Sequence, residues 1–226
     1  MAALMVKAQI RTMVAVVVLT FLMFAAAGTI LWLPAWIYFA ILVLSTMLPF
    51  YGPLQFDPGL IEERMSSRPD AKKWDRAFVA LIAVFTPAEL ILPGLDHRWQ
   101  WSTPLPGWMM WAGTAGVAAG TAGLVWAMWT NRFFSVVIRI QRDRGHQVVT
   151  DGPYRWVRHP GYLAWMLQSL SLPLLFCSVW TFLPVGLMVV MFFVRTALED
   201  RVLMGELPGY KEYAQRVKTK LVPGIW

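Results

Sequence analysis

Residues 161–194 read GYLAWMLQSLSLPLLFCSVWTFLPVGLMVVMFFV, and this stretch decides the fold. It holds no Asp, Glu, Lys or Arg across 34 positions, and one bilayer span needs about 20 apolar residues. Pro173 and Pro184 lie inside the stretch, and proline interrupts a helix. We therefore predict two membrane helices joined by a turn around Cys177–Ser178.

Three further apolar blocks run from Met13 to Phe50, from Ala77 to Leu95 and from Trp108 to Thr130. The first, as a single helix, would reach about 57 Å, against about 30 Å of hydrocarbon. It is better interpreted as two helices that turn near Leu33–Pro34, because proline can open the second. The chain has 226 residues, of which 58% are apolar and 15% charged. It is therefore predicted to be an all-α, polytopic transmembrane helix bundle with about six crossings.

The basic residues are distributed unevenly about these predicted spans. Nineteen of the 20 Lys and Arg residues fall on one side of a six-helix arrangement, and only Arg98 falls in the opposite loop. The positive-inside rule then predicts that both termini, the loop of residues 51–76 and residues 131–160 are cytoplasmic. Attraction to anionic headgroups explains the formal charge of +7, so membrane lipids are expected partners and nucleic acid is not.

Several residues outside the motifs have simpler interpretations. Four glycines recur at helical spacing and predict close packing against another helix: Gly113, Gly116, Gly120 and Gly123. Glu62 and Glu63 are expected to be solvated in the polar loop. Glu89 is an acid inside a predicted span, but its position near the outer end leaves it outside the predicted site. The lone Cys177 and the lack of metal-ligand spacing predict no metal site.

The motif GPYRWVRHPGY, residues 152–162, stands at the mouth of the apolar stretch. The residue before a proline avoids the helical region, so His159 should be extended and Pro160 should open the next helix. The free N–H groups of such a helix start attract a carboxylate or phosphate, and Arg155 and Arg158 add positive charge. The alternative is that these arginines anchor to headgroups while His159 caps the helix.

A second cluster, RTALED at residues 195–200, follows the apolar stretch. Arg195 and Glu199 are four residues apart and therefore share a helical face. They could form a local ion pair. In a binding site, Glu199 would instead meet a cation and Arg195 an anion.

Three sequences together carry a family resemblance: HQVVTDGPYRWVRHPGYLAW at 146–165, RTALEDRVL at 195–203, and ELPGYKEYAQRVKTKLVPGIW at 206–226. They resemble the isoprenylcysteine carboxyl methyltransferase (ICMT) family, and the wider group that includes phospholipid N-methyltransferases. The likeness covers about residues 131–226. It implies a catalytic region there, with a helical hairpin and a cytoplasmic tail. Residues 1–130 would form about four transmembrane helices.

The resemblance also implies S-adenosylmethionine as methyl donor, bound without a Rossmann sheet. The pocket would be cytoplasmic and built from the C-terminal helices and their connecting loops. The implied cofactor-binding residues are Gln141, His146, Gln147, Val148, Val149, Tyr154, His159, Pro160, Gly161, Tyr162 and Glu199. Arg195 matches an arginine that positions the substrate. Where relatives often carry Glu-Glu, this chain has Glu199-Asp200, so the resemblance assigns no role to Asp200.

The implied acceptor is a small lipophilic molecule from the bilayer, with a carboxylate placed ahead of an amine or thiol. A direct methyl displacement needs alignment and exclusion of water more than an acid–base residue. Two hypotheses of other classes stay open: an NADPH-dependent membrane reductase of the steroid-reductase kind, and a non-enzymatic bundle that binds lipid or a partner.

Overall fold

A computed structural model describes residues 2–50, 58–65 and 71–226. These residues form eight α-helices and contain no β-strand, which confirms the all-α fold class. The helices are α1 (Ala2–Ala27), α2 (Leu33–Met47), α3 (Pro58–Met65), α4 (Lys73–Trp99), α5 (Trp108–Thr130), α6 (Pro160–Leu175), α7 (Phe182–Glu206) and α8 (Tyr210–Arg216).

Both predicted helical hairpins are present. The chain turns after α1 at Gly28, whose φ of 67° favours glycine, and α2 then begins with Pro34 in its first turn. The stretch of residues 161–194 divides into α6 and α7, with Cys177 at a φ of 51° in the turn between them. The two proline-based predictions of a break are therefore confirmed.

The fourth helix is longer than predicted. The sequence indicated Ala77 to Leu95, but α4 runs from Lys73 to Trp99 with Pro87 and Pro93 inside it. Membrane helices tolerate internal prolines because neighbouring groups satisfy the freed backbone. Gly94 also lets α4 approach α1 closely, since a Cβ there would lie 2.9 Å from the Met23 carbonyl oxygen. The α4–α5 connection is correspondingly short.

The glycines of α5 pack against α6, as the sequence predicted. A Cβ at Gly113 would collide with the backbone of Leu175, and one at Gly116 with the side chain of Ser171. A Cβ at Gly120 would lie 2.7 Å from the carbonyl oxygen of Ala164. Small residues therefore allow the two helix backbones to approach closely.

Three described segments are long and apolar enough to cross a bilayer: Met5–Ala27, Lys73–Trp99 and Val179–Glu206. The chain is an integral membrane protein. The helices α2 and α6 have 15 and 16 residues, or about 22–24 Å of length, which is less than a 30 Å hydrocarbon core. The count of six crossings stays a prediction.

The polar loop of residues 51–76 is described only in part, because residues 51–57 and 66–70 lie outside the described residues. The described part contains α3, which fits the short helix expected there. Glu62 is exposed as predicted. The prediction that Glu63 is solvated is wrong: it is buried, and its carboxylate accepts hydrogen bonds from Arg139 at 2.6 and 2.9 Å. A buried guanidinium needs such a counter-charge.

Candidate active site

A cleft of about 820 Å³, its open mouth included, lies between the start of α6, the end of α7, α8 and the connection from α5 to α6. All eleven cofactor-binding residues predicted above line it: Gln141, His146, Gln147, Val148, Val149, Tyr154, His159, Pro160, Gly161, Tyr162 and Glu199.

The start of α6 is held by the C-terminal tail. The backbone N–H groups of Arg158 and His159 donate to the carbonyl oxygens of Thr219 and Lys220, each at 3.0 Å. The His159 backbone has φ −122° and ψ 61°, and its side chain makes no capping hydrogen bond. His159 therefore stands at the N-cap position of α6, as predicted, but its side chain does not cap the helix. Its ring stacks on Tyr162 with 5.8 Å between ring centroids.

Asp200, to which the resemblance assigned no role, anchors this corner of the cleft. Its carboxylate pairs with the Arg158 guanidinium at 2.9 Å and accepts the Tyr210 hydroxyl hydrogen at 2.9 Å. The His159 Nε2 atom lies 3.5 Å from the same carboxylate. Burial and the Asp200 charge raise the pKa of Tyr210, which therefore stays protonated and donates.

Two lining groups have a buried polar atom without a hydrogen-bond partner among the described residues: the Arg158 guanidinium, at Nε, and the Glu199 carboxylate. Its Oε2 atom is buried and has no hydrogen-bond partner among the described residues. The nearest cationic candidate is the His159 Nδ1 atom, 3.7 Å away and beyond hydrogen-bond distance. A buried carboxylate oxygen without a partner is costly, and a ligand that brings a cation with N–H donors would satisfy it.

The connection from α5 to α6 forms the opposite wall and is held together by its own side chains. The Gln141 amide donates to the Phe133 carbonyl oxygen at 2.8 Å and accepts from Arg144 at 2.5 Å. The His146 ring packs on Phe133 at 4.5 Å, and its Nδ1 accepts the Gln141 backbone N–H at 3.3 Å. Burial, with Arg139 and Arg144 nearby, lowers the pKa of His146 to about 4, so its ring is neutral at pH 7.

Two tyrosines, Tyr154 and Tyr213, also line the cleft. Tyr154 is buried, and its hydroxyl accepts a hydrogen bond from the Asn131 amide at 3.1 Å. The Tyr213 hydroxyl donates to the Tyr154 carbonyl oxygen at 2.7 Å, which joins α8 to the 152–162 motif. Val148 packs against the α8 side of the same cluster, while Gln147 is exposed at the mouth.

Arg195 does not line the cleft. Its guanidinium lies behind Tyr162, with the central carbon 5.4 Å from the ring centroid. Instead of pairing with Glu199, it donates from Nε to Asp75 at 2.9 Å and from Nη2 to the Val136 carbonyl oxygen at 2.6 Å. Asp75 was not predicted, because nothing in the sequence distinguishes it from other charged residues of the polar loop.

Sequence reasoning missed about half of the lining. The missed residues are Asn131, Phe133, Phe134, Ser135, Val137, Ile138, Arg139, Leu203, Leu207, Tyr210 and Tyr213, while Arg158 was named only as a source of positive charge. Leu203 and Leu207 follow Glu199 at intervals of four on α7, so helical spacing could have found them. The aromatic pair Phe133 and Phe134 carries no comparable signal. Glu89 is buried against Ser169, 3.5 Å between side-chain oxygens, and does not line the cleft.

Comparisons with known proteins point to one family. The family model described as "Isoprenylcysteine carboxyl methyltransferase (ICMT) family" matches residues 112–205. A solved structure titled as the eukaryotic intramembrane Ras methyltransferase ICMT matches with a TM-score of 0.54. That match covers 93% of this chain and 74% of the other, at 16% sequence identity, and it shows that the fold is shared.

Curated relatives carry the same family name. Protein-S-isoprenylcysteine O-methyltransferase B of Arabidopsis thaliana is 25% identical over 162 residues, which cover 70% of this chain and 78% of the relative. A probable protein-S-isoprenylcysteine O-methyltransferase of Oryza sativa subsp. indica is 30% identical over 40% of this chain and 48% of its own length. The Homo sapiens enzyme is 31% identical over 39% of this chain. The match spans about half of the rice relative and 32% of the human one.

Proposed function

We propose that this chain, which belongs to the isoprenylcysteine carboxyl methyltransferase family of membrane methyltransferases, transfers a methyl group from S-adenosylmethionine to the carboxylate of a lipophilic acceptor. The observation that carries the proposal is the buried, unpartnered Oε2 atom of Glu199 in a cleft lined by all eleven cofactor-binding residues that the resemblance implied. Isoprenylcysteine is the acceptor named in the relatives' titles, and we propose the same class here.

The cleft fits the proposed donor in charge and shape. The donor's ammonium would meet Glu199, and such a charge-assisted hydrogen bond would remove the cost of the orphaned oxygen. The start of α6, with Gly161 and Tyr162 in its first turn, faces the cleft and suits the donor's carboxylate. The rings of Phe133 and Tyr154 offer apolar surface to a heterocycle.

The acceptor's carboxylate would lie at the edge of the Tyr162 ring, between the donor's methyl group and Arg195. Arg195 stands one helical turn before Glu199 on α7, behind the Tyr162 ring and outside the donor cleft. The Arg195 guanidinium would donate to the acceptor's carboxylate close to Tyr162, from the nitrogen that Asp75 and Val136 leave available. A hydroxyl or thiol acceptor would gain no comparable contact.

The proposed reaction requires little acid–base catalysis from the protein. When bound, the sulfonium donor would supply an activated methyl group: the acceptor oxygen would bond to the methyl carbon while the S–C bond breaks and its electrons stay on sulfur. A carboxylate acceptor is already deprotonated at pH 7, so no general base is needed. The chain's own task is to align the acceptor, through Arg195, and to exclude water, through Tyr162 and the tail that closes the start of α6.

We extend the proposal to topology: six crossings, with both termini and the cleft cytoplasmic. The uneven distribution of basic residues supports it. In a Cys177→Ser background, a membrane-impermeant thiol reagent added to intact cells should label a cysteine at Ser102 and spare one at Asp151. Labelling of Asp151 without Ser102 would reverse the orientation, and labelling of both would contradict the proposed spans.

Calorimetry on the detergent-purified full chain tests the donor. S-adenosylmethionine and S-adenosylhomocysteine should both bind saturably at one site per chain, and NADPH should not. Binding of NADPH in the absence of binding by either methyl-donor species would favour the reductase hypothesis instead. No binding of any of the three would favour the non-enzymatic bundle.

A further inference from the structure

The buried carboxylate of Asp75 joins three segments of the molecule. Asp75 lies in the first turn of α4 and is fully buried. Its Oδ1 accepts the Nε–H of Arg195 at 2.9 Å, and its Oδ2 accepts the backbone N–H of Ile138 at 2.7 Å. One side chain from the N-terminal half therefore connects α7 to the wall of the cleft.

These contacts fix the orientation of the Arg195 guanidinium. Nε is engaged by Asp75 and Nη2 by the Val136 carbonyl oxygen, while Nη1 bonds to no residue in the part of the chain that the structure describes. A free arginine side chain loses up to about 2 kcal/mol of rotamer entropy when it is ordered on binding. In this protein Arg195 is already ordered when the chain folds, so that entropy is not lost on acceptor binding. Its Nη1 atom stays available to the acceptor.

We propose that Asp75 is a positioning residue that orients Arg195 for the acceptor carboxylate. The inference rests on the proposed function for its acceptor, but the anchoring of Arg195 can be measured without it. Asp75 also supplies the counter-charge that a buried guanidinium requires before the acceptor arrives. The residue lies outside the region of 112–205 that the family model matches.

Asp75→Asn separates the two contacts of this carboxylate. The amide keeps an oxygen that can accept from Ile138, but it loses the negative charge that faces Arg195. Asp75→Glu keeps the charge and shifts it by one methylene. It replaces Asp75→Asn in the measurements if Asp75→Asn does not fold. Glu63→Gln is the matched control, because Glu63 is another buried acid that holds an arginine of the same wall, Arg139, without contacting Arg195.

The first measurement is chemical modification of Arg195 by phenylglyoxal in the purified full chain, followed by peptide mass spectrometry. Arg195 is almost fully buried and should react slowly in the wild type. Asp75→Asn should raise its modification rate on the order of tenfold, which corresponds to about 1.4 kcal/mol. Glu63→Gln should leave that rate unchanged. An unchanged rate in folded Asp75→Asn overturns the inference whatever the activity.

The second measurement is methyl transfer to a prenylcysteine. Asp75→Asn should raise the acceptor KM on the order of tenfold while the donor Kd stays within about twofold. In an Arg195→Lys background the same change should add nothing further, since both substitutions act through one group. A raised modification rate with an unchanged acceptor KM would overturn the role in acceptor positioning. A wild type that methylates no carboxylate would contradict the proposed function, while the modification assay still decides the anchoring.

Discussion

Among the described residues, the cleft takes all its lining side chains from residues 131–213, whereas residues 1–130 reach it from behind. Two of the contacts from the N-terminal half are made by buried carboxylates that bind arginines of the C-terminal half: Glu63 holds Arg139, and Asp75 holds Arg195. The recognisable sequence motifs lie in the first region, and the family model likewise matches within residues 112–205. The sequence motifs thus identify many of the groups that line the cleft and pass over the groups that hold that lining in place.

The largest effect should come from breaking a buried ion pair behind the cleft. Glu63→Gln leaves the Arg139 guanidinium, which lines the cleft, without its buried counter-charge. We expect a loss of about 3 kcal/mol in the free energy of unfolding, at the low end because Asp143 still pairs with Arg139. Thermal unfolding in detergent measures this. Glu62→Gln, one position away and exposed, is the control. If Glu63→Gln and the wild type had equal melting temperatures, Glu63 would not stabilise the wall of the cleft.

The next largest effect is expected from a substitution in the lining of the cleft. Glu199→Gln should weaken donor binding on the order of tenfold to a hundredfold, because a charge-assisted hydrogen bond of about 1.5–3 kcal/mol is lost. Arg195→Ala, which alters a residue outside the cleft, should change donor affinity far less. Calorimetry with the donor alone, in the absence of acceptor, isolates the effect. Unchanged affinity in folded Glu199→Gln would exclude Glu199 from donor binding.

A smaller effect is expected from a substitution that keeps the charge of Arg195 and changes the shape of its side chain. Arg195→Lys keeps the positive charge and loses the planar group whose separate N–H donors reach Asp75, Val136 and the acceptor carboxylate together. Transfer to a carboxylate acceptor should fall about tenfold in kcat/KM, equivalent to about 1.4 kcal/mol, while the donor Kd is nearly unchanged. Parallel steady-state and calorimetric measurements compare the two. A lysine variant with full activity would show that Arg195 acts only through its charge.

The smallest effect concerns pH. The folded pKa of His146 is about 4, below the ordinary value of 6.5, so the unfolded chain binds more protons between these values. The contribution of neutral His146 to stability is therefore complete above pH 6.5 and is lost as the pH falls toward 4. His146→Asn should flatten part of this acid dependence. Melting temperatures of both proteins at pH 7, 6, 5 and 4 provide the test, and parallel curves would contradict the assigned pKa.

Features with a local cause could be predicted from the sequence. Proline opens α2 and α6 because its fixed φ and missing N–H suit a first helical turn. The glycines of α5 pack on α6 because only their size permits the approach. The resemblance identified the part of the lining that Glu199 and the motif of residues 152–162 provide.

What could not be predicted depends on partners far along the chain. Asp75 and Glu63 belong to a polar loop, and an acid in such a loop is ordinarily solvated; their arginines lie 120 and 76 residues away. The end of α4 was misplaced for a related reason. The predicted block stopped at Leu95, before the charged Asp96, but Asp96 is buried and hydrogen-bonded to Ser102 and Ser178, and α4 continues to Trp99. Long-range packing decided both cases.

The measurement that tests the central claim most directly is transfer of a labelled methyl group by the purified wild-type chain. The acceptors are a prenylcysteine with a free carboxylate, phosphatidylethanolamine and a simple thiol, each offered with methyl-labelled S-adenosylmethionine. We predict label in the prenylcysteine product alone, released as methanol by alkali because the product is a methyl ester. Label found only in a base-stable amine or thioether would contradict the carboxylate assignment.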